Sequence, residues 1–542
     1  MSDVEEVPVL IVGGSLVGLS AAAFLAWQGV KTLTVERHRG TAIHPRAGHF
    51  QLRTMEVLRS IGLQDIVRRA AEDQYDLDFG IAAVESLAGR ELAVFIQNLN
   101  EGVDAVSPST RFFMTQQSLE PLIRTRAEEL GARLDYATEL VSFEQDDDGV
   151  TATVRDIDTG RERAVRARYL IASDGNRSAV RERLGIAVSG HGLIAHSVTI
   201  YFRADVAAQL MEGRRLGVIY INNPVVRGFL RMDKGNRSGF LAVNTVGDTS
   251  LPETSRIADT ITPERAVEIV RAAVGVPAAE ITITQIIPWR TVADNAERYA
   301  QDRVFLVGDA AHTMPPNGGY GGNTGVQDTH NLAWKLALVL SGMASPELLD
   351  SYDAERRPFG ALTVEQAYAR YVRRTAPYLG IETVQPLVDD WAMEIGHHYR
   401  SGAVVSEDDD SASIHTDPFK SAGRPGTRAP HLVLERDGKR QSSLDLFGRG
   451  FVLLCGSDGG DWADAARRLG NPLLTVHRID AAEGWREPTG AFNDRHGISS
   501  AGAVLVRPDG FIAWRSKTAV PDPAQTLAKI LDRLLSGSVG AR

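Results

Sequence analysis

The chain has 542 residues, of which 43% are hydrophobic and 24% charged, an ordinary composition for a folded globular protein. Its net charge is −10 and it has no run of five or more basic residues, which argues against nucleic acid or an anionic membrane as a partner. The one cysteine, Cys455, excludes an internal disulfide and cysteine-ligated iron–sulfur or zinc sites, and it predicts a cytoplasmic location.

The first predicted elements are a strand, a glycine turn, a helix and a second strand. The segment from Val9 to Trp27 carries no charge and has a length that could cross a membrane. However, acidic residues precede it, its β-branched start stops at Gly13, and its helical part stops at Gly29. A second strand then ends at Glu36. This order is typical of the βαβ unit that binds a dinucleotide.

The glycine pattern G-x-G-x-x-G is incomplete, because its positions fall on Gly13, Ser15 and Gly18. Gly13 would form the tight turn, and Gly18 would let the helix approach the strand beneath a pyrophosphate bound at the helix N-terminus. Ser15 could cap that helix. Glu36 would accept hydrogen bonds from ribose hydroxyls, and Arg37 follows it. A strand, turn and helix that bind no ligand would show the same pattern. The later motifs are therefore needed to decide whether this unit binds a dinucleotide.

Two further motifs follow apolar strands. In the segment YLIASDGNRSAV, Asp174 ends a strand and precedes a short helix. In the segment VFLVGDAAHTMPPNGGYGGNTG, Asp309 ends another strand, and a glycine-rich loop then leads into a long amphipathic helix. Either aspartate alone could simply cap a turn. Three such motifs in this order favour one shared cofactor.

With these motifs, residues 7–375 resemble the flavoprotein aromatic hydroxylases of the para-hydroxybenzoate hydroxylase type, the single-component class A monooxygenases. Within that family the chain is similar to the hydroxylases that tailor polycyclic aromatic polyketides, such as aklavinone and tetracenomycin hydroxylases. It shares their C-terminal extension, with the segments AGRPGTRAPH, SLDLFGRGFVLL and GAVLVRPDGFIAWR. The resemblance implies bound FAD, NADPH or NADH as a transient co-substrate, and molecular oxygen.

The resemblance also implies roles for individual residues. Asp309 would bind the ribityl chain of FAD, Pro315 and Pro316 would lie beside the isoalloxazine, and Asp174 would lie near the pyrophosphate. The backbone at the start of a helix beginning near Asn323 would face the pyrimidine edge of the flavin. The cofactor-binding residues that it implies are Gly13, Ser15, Gly18, Glu36, Arg37, Arg46, Gln116, Asp174, Asp309, Pro316, Gly319, Gly321, Gly322 and Asn323.

The implied reaction is hydroxylation of a bulky phenolic substrate, a polycyclic polyketide, through a flavin C4a-hydroperoxide. The flavin performs the chemistry, so no catalytic side chain is singled out, and the protein must exclude water and orient the ring. Baeyer–Villiger-type or other oxygenation on the same scaffold is an alternative, and a non-catalytic binder of the same fold is a remote one. Because His330, His397 and His398 lack partners at ligand spacing, no metal site is expected.

Alternating apolar segments between residues 197 and 246 predict antiparallel strands of a middle sheet. We expect the aromatic substrate to lie against this sheet. The candidate pocket residues are Tyr220, Phe229, Phe240, Asn244 and Trp289, with Pro315 from the glycine-rich loop. Each of them could equally belong to the core of the sheet.

The expected fold is α/β, with a Rossmann-like FAD-binding domain of the glutathione-reductase type, a mixed β-sheet substrate domain and a C-terminal thioredoxin-like domain. The expected ranges are 1–180 and 280–400 for the FAD-binding domain, with sheet insertions near 75–115, then 181–279 for the middle domain, 401–430 for a linker and 431–542 for the last domain. Since Cys455 lacks a Cys-x-x-Cys partner, that domain is expected to be structural or oligomeric, in a monomer or homodimer.

Overall fold

The computed structural model describes residues 4–43, 48–246, 252–407 and 413–537. Its strands are β1 Glu5–Val12, β2 Thr32–Glu36, β3 His49–Phe50, β4 Gly80–Val84, β5 Glu91–Ile96, β6 Phe112–Phe113, β7 Arg133–Tyr136, β8 Thr138–Gln145, β9 Val150–Asp156, β10 Glu162–Ala172, β11 Val188–Arg203, β12 Leu216–Asn222, β13 Val226–Met232, β14 Ser238–Val246, β15 Thr282–Ala296, β16 Ala300–Gln301, β17 Val304–Leu306, β18 His312–Thr313, β19 Val433–Arg436, β20 Lys439–Ser442, β21 Phe451–Cys455, β22 Leu474–Arg478, β23 Ala503–Val506 and β24 Ile512–Ser516. Its helices are α1 Leu16–Trp27, α2 Leu52–Ser60, α3 Gln64–Gln74, α4 Gln116–Glu129, α5 Ala179–Arg183, α6 Val206–Leu210, α7 Pro263–Val274, α8 Tyr320–Leu340, α9 Asp350–Arg374, α10 Asp390–Ile395, α11 Gly460–Leu469, α12 Phe492–His496 and α13 Pro523–Ser536.

The first sheet has the strand order β16-β17-β10-β1-β2-β7, with β8 and β9 attached through β10. From β17 to β7 all neighbouring strands are parallel. The uncharged segment is divided as predicted into the strand β1 and the helix α1, and most of both is buried. Within the described ranges no helix combines the length and the apolar character needed to cross a membrane.

The second sheet has the order β18-β15-β11-β14-β13-β12-β4-β5. Strands β11 to β14 pair in antiparallel fashion, which confirms the predicted middle sheet. One face packs against α7 through an apolar cluster that includes Ile200, Ile219, Leu230 and Leu241. Because side chains alternate along a strand, the intervening residues lie on the opposite face.

Two segments that the sequence assigned to the FAD-binding domain lie in this second sheet. Strand β15, residues 282–296, falls inside the range expected for the FAD-binding domain but pairs with β11. Strands β4 and β5, from the insertion near 75–115, form its far edge, with β4 parallel to β12. A boundary at residue 280 is therefore wrong for β15, whose partner strand could not be identified from local sequence.

The C-terminal part contains a four-stranded sheet of order β22-β21-β23-β24, with β21 and β22 parallel and the other pairs antiparallel. The segment expected to be a linker contains buried residues in its described parts, among them Ala403, Val404 and Ala429. Cys455 is buried on β21, and this burial raises the pKa of its thiol to about 12. The thiol is therefore protonated at neutral pH.

Candidate cofactor and substrate site

The predicted motifs meet at one edge of the first sheet. Strands β17, β10, β1 and β2 are parallel neighbours, so their carboxyl ends lie side by side. Gly13 follows β1, Glu36 ends β2, Asp174 follows β10, and Asp309 follows β17. In open α/β sheets, ligands bind outside the carboxyl ends of the strands. The fold thus brings together motifs that are separated by almost 300 residues in the chain.

The glycine turn between β1 and α1 leaves no room for side chains. Gly13 has a φ of +101°, and a Cβ there would lie 2.4 Å from the carbonyl oxygen of Ser173. A Cβ on Gly18 would lie 1.8 Å from the carbonyl oxygen of Gly13. Both positions therefore require glycine. The resulting backbone surface can approach a phosphate closely.

Glu120, on α4, is the residue that caps α1. Its buried carboxylate accepts hydrogen bonds from the backbone amide of Leu16 at 2.8 Å, from the hydroxyl of Ser15 at 2.6 Å and from the side-chain Nε2 of Gln116 at 2.7 Å. The expectation that the Ser15 side chain itself caps the helix is wrong, because Ser15 makes no side-chain hydrogen bond to the helix amides. The sequence did not reveal Glu120, which lies 105 residues from Ser15.

Glu36 closes the other side of the turn. Its carboxylate accepts hydrogen bonds from the amides of Gly14 at 2.7 Å and His38 at 2.8 Å. These contacts fix the acid at the end of β2, where a ribose would be expected. Arg37 is exposed, and Arg46 lies outside the described residues.

Asp328 holds the loop that carries Asp309. The amide of Gly308 donates to Asp328 Oδ2 at 3.1 Å, and the same carboxylate lies 2.8 Å from His312 Nε2. Arg356 Nε donates to Asp328 Oδ1 at 2.8 Å. Burial alone would raise the pKa of Asp328, but Arg356 and His312 lower it overall. The ionic cluster is buried beneath the loop, whereas Asp309 itself is exposed at the sheet edge.

The glycine-rich loop leads into α8 earlier than expected. The helix begins at Tyr320, with Gly319 as its N-cap at a φ of +68°, so Gly321, Gly322 and Asn323 form its first turn. Asn323 is buried and joins the loop to strand β3, because its Nδ2 donates to the carbonyls of Gly319 at 2.6 Å and His49 at 2.8 Å. The helix therefore begins three residues before Asn323, the position at which the sequence predicted its start. Pro315 is buried and Pro316 is exposed.

Buried polar atoms near these loops favour a ligand with polar groups. Asp174 Oδ1 and Asn317 Oδ1 are buried, and neither has a hydrogen-bond partner in the described part of the chain. Burial also raises the pKa of Asp174. With the glycine cradle and the acid at the end of β2, these groups fit a dinucleotide such as FAD. The described residues contain no group of three histidine, cysteine, aspartate or glutamate side chains arranged to hold a metal.

Five of the six predicted pocket residues, all except Pro315, share one face of the second sheet, opposite the apolar cluster that packs on α7. Ring centroids of Tyr220 and Phe229 lie 6.3 Å apart, and those of Phe229 and Phe240 lie 5.9 Å apart. Asn244 Nδ2 donates to Ser197 Oγ at 3.3 Å, and Trp289 Nε1 donates to Thr199 Oγ1 at 3.1 Å. We call this face, made by Tyr220, Phe229, Phe240, Asn244 and Trp289, the aromatic wall.

Arg374, at the end of α9, contacts the aromatic wall. The sequence did not reveal it as a candidate site residue. Its Nη1 donates to the hydroxyl of Tyr220 at 3.1 Å, and its guanidinium carbon lies 4.9 Å from the ring centroid of Phe95. Burial disfavours its charge, but Tyr220, with Asp390 and Tyr320 nearby, favours it, so the pKa of Arg374 is raised. Arg374 therefore remains a cation at the wall.

Comparisons with known proteins agree with this geometry. A family model described as FAD binding domain matches residues 6–367, and one described as aromatic-ring hydroxylase, C-terminal, matches residues 422–537. The chain is 52% identical to 4-methyl-5-nitrocatechol 5-monooxygenase from Burkholderia sp over 98% of each chain. It is 39% identical to tetracenomycin A2 monooxygenase-dioxygenase from Streptomyces glaucescens over 99% of this chain and 98% of that protein. The structure of a ternary complex of aklavinone-11 hydroxylase with FAD and aklavinone has a TM-score of 0.90 and 40% identity, covering 99% of this chain and 100% of that one.

Proposed function

The chain belongs to the FAD-binding aromatic-ring hydroxylase family, and on that premise we propose that it hydroxylates a phenolic ring with NADPH or NADH and molecular oxygen. It is a flavin-dependent monooxygenase. The observation that supports the proposal best is the meeting of the three cofactor motifs at one sheet edge. When bound, FAD supplies electron transfer from the nicotinamide and the activation of oxygen.

We propose that the glycine turn holds the pyrophosphate with Asp174 near it, that Glu36 holds the adenosine ribose, and that Asp309 holds the ribityl chain. The amides in the first turn of α8 have no partners within the helix, so they can stabilise negative charge on the flavin ring. The proposed cofactor site comprises Gly13, Ser15, Gly18, Glu36, Arg37, Arg46, Gln116, Asp174, Asp309, Pro316, Gly319, Gly321, Gly322 and Asn323.

The finer fold assignment is also a proposal. The parallel order β17-β10-β1-β2-β7 and the glycine turn support a Rossmann-like FAD-binding domain. The four-stranded mixed sheet with α11 and α13 supports a thioredoxin-like C-terminal domain without redox chemistry, because the thiol of Cys455 is buried and protonated. The single buried cysteine supports a cytoplasmic location.

Two substrate classes are supported by relatives. The polyketide hydroxylases, at about 40% identity over nearly the whole chain, support a polycyclic phenol. The relative named for a nitrocatechol, at 52% identity, supports a single substituted ring. Both classes carry ring hydroxyls, and the aromatic wall offers stacking surfaces to either.

A substrate panel tests the function. We would measure NADPH and NADH oxidation by the purified holoenzyme with anthraquinones, tetracycline-type compounds, nitrocatechols and simple phenols, and identify products by mass spectrometry and NMR. A compound that accelerates oxidation and gains one ring oxygen supports the proposal and gives the substrate class. Lactone products would indicate Baeyer–Villiger insertion instead. If every compound gave only slow oxidation to hydrogen peroxide, ring hydroxylation of these classes would be excluded.

Tyr220 is the residue that we propose contacts the reacting hydroxyl. Its oxygen accepts a hydrogen bond from Arg374, so its own proton is available to a substrate oxygen. A nearby cation favours the charged form of a phenol, and Arg374 can therefore stabilise a substrate phenolate through this contact. A phenolate ring is the electron-rich form that hydroxylation requires.

The variant Tyr220→Phe should keep full FAD content but lower kcat by about 100-fold, the scale of a lost proton-transfer contact. The activity that remains should rise with pH, as the substrate phenol ionises in water. Steady-state kinetics across pH would measure both effects. Tyr368→Phe, on the half-exposed part of α9, is the matched control and should behave like wild type. An unchanged kcat and pH profile in Tyr220→Phe would contradict the role.

A further inference from the structure

Arg231, on β13, is buried, and the two nitrogen atoms that carry three of its five N–H groups have no partner in the described part of the chain. Its side chain is 4% exposed, and Nη1 donates to the carbonyl of Gly48 at 2.5 Å. Its Nε and Nη2 atoms are buried, and neither has a hydrogen-bond partner in the described ranges. The guanidinium carbon lies 3.7 Å from the ring centroid of Tyr75 and 4.0 Å from that of Phe113. Two rings thus fix the plane of the guanidinium and leave one edge unsatisfied.

This arrangement is costly unless a ligand completes it. Among the described residues, no carboxylate forms an ion pair with Arg231, and burial lowers the pKa of its guanidinium to about 10. Burying a cation without a counter-charge is strongly unfavourable. Contact with the faces of Tyr75 and Phe113 offsets part of that cost. The Nε–H and Nη2–H groups, however, form the planar fork that binds two oxygens at once.

Arg231 adjoins the aromatic wall, and its contact with Gly48 links it to the glycine-rich loop. Arg231 pairs with Phe240 across the β13–β14 ladder, and Phe229 lies two residues earlier on the same face. Both phenylalanines remain partly exposed, so open space adjoins this face. On the other side, Gly48 precedes His49, whose carbonyl is bound by Asn323 at the start of α8.

A second unsatisfied polar atom lies beside the first. His49 stacks on Phe113 with ring centroids 4.7 Å apart, and its Nε2 is also buried with no partner among the residues described. Burial, with the nearby charges of Arg111 and Arg231, lowers the pKa of His49 to about 3, so its ring is neutral. A neutral imidazole beside the guanidinium does not repel it, and it can share a bound oxygen.

We propose that Arg231, assisted by His49, anchors a planar pair of oxygens carrying negative charge on the aromatic substrate. Such a pair occurs in the nitro group of a nitrocatecholate, in an aromatic carboxylate, and in adjacent ring oxygens of a polycyclic phenol. The anchor would hold one end of the ring system while the aromatic wall contacts its face. This inference rests on the proposed function, since it assigns a substrate contact to the same site.

The test uses Arg231→Met in the FAD-loaded enzyme, a change that keeps an apolar side chain between the two rings. Binding of 4-nitrophenol, phenol, 1,8-dihydroxyanthraquinone and anthraquinone would be measured from the perturbation of flavin absorbance. The first and third compounds carry the paired oxygens, and the second and fourth are their counterparts without them. Wild type should bind each compound with paired oxygens more tightly than its counterpart. Arg231→Met should weaken that binding by about 10- to 100-fold and change the other member by less than about threefold, as expected for loss of hydrogen bonds to a charged group.

Arg227→Met, four residues earlier on the same face of β13, is the control and should keep the wild-type preference. An unchanged preference in Arg231→Met would overturn the proposal, as would a wild-type enzyme that shows no preference in either pair. Loss of FAD from Arg231→Met would overturn it too, since Arg231 would then serve the cofactor. Because binding is measured without turnover, the outcome is separate from that of the product analysis.

Discussion

Gly18→Ala is expected to yield protein that purifies without bound flavin. The new Cβ would lie 1.8 Å from the carbonyl oxygen of Gly13 and 2.7 Å from Ser173 Oγ. Since Gly13 O belongs to the backbone of the turn, contact is relieved only if α1 moves away from β1. That movement would disrupt the surface on which we place the pyrophosphate, and FAD affinity should fall by at least about 100-fold, or about 2.7 kcal/mol. The flavin-to-protein absorbance ratio and titration of the apoprotein with FAD measure the effect.

Gly460→Ala provides the control, because a Cβ at Gly460 has no atom within 4 Å. This variant should carry as much flavin as wild type. Circular dichroism separates loss of FAD from loss of fold. Asp309→Ala gives an independent check, since Asp309 is exposed and its removal should weaken FAD binding without disturbing the core. Wild-type FAD affinity in both Gly18→Ala and Asp309→Ala would mean that the sheet edge is not the flavin site.

Local sequence was enough to predict the elements that carry the motifs. The β-branched start of β1, the glycines of the turn and the uncharged helix each contain their own signal, since backbone geometry and burial act over a few residues. The aromatic wall was predicted for a similar reason, because strand alternation puts every second residue on one face. For the C-terminal part, the strand and helix patterns predicted a small α/β domain, and only the thioredoxin-like assignment came from the resemblance to a family.

The residues missed in the sequence act through distant contacts. Glu120 meets α1 across 105 residues, and Arg374 meets Tyr220 across 154. Neither has a local pattern that differs from an ordinary helical charge. Strand β15 was misplaced because strand pairing is decided by the fold, while its own sequence indicates only extended backbone. A buried charge such as Asp328 could have been suspected, since it lies on a largely apolar helix.

The second large effect is expected on the stability of the fold, and it comes from replacing Glu355, on α9. Its carboxylate accepts hydrogen bonds from both Nη atoms of Arg507, at 2.5 and 2.9 Å, and from Lys335 Nζ at 2.9 Å. Asn331 and Ser401 complete the cluster at 2.7 and 2.6 Å. The side chains of Glu355, Lys335 and Arg507 have no exposed surface. The cluster therefore joins α8 and α9 to the loop after β23.

Glu355→Leu should lower the stability by about 3–5 kcal/mol, because it leaves two buried cations short of counter-charge. In a chain of this size that corresponds to a fall of roughly 3–4 °C in the apparent Tm. The control is Glu365→Leu on the same helix, whose partner His191 is partly exposed. A surface pair contributes at most about 1 kcal/mol, so the control should move little. Scanning calorimetry at one heating rate compares the variants with wild type.

The pH dependence distinguishes a lost ion pair from poor packing of the new leucine. Burial opposes the charge of Glu355, but Arg507 and Lys335 hold the pKa of its carboxyl well below the usual 4.5. A lowered folded-state pKa stabilises the fold above pH 4.5, and that contribution is lost as the pH falls further. The difference between wild type and Glu355→Leu should therefore shrink below about pH 4.5. A stability difference that stayed the same in acid would indicate that poor packing of the leucine causes the loss. The charge cluster would then not be what stabilises the contact with the C-terminal part.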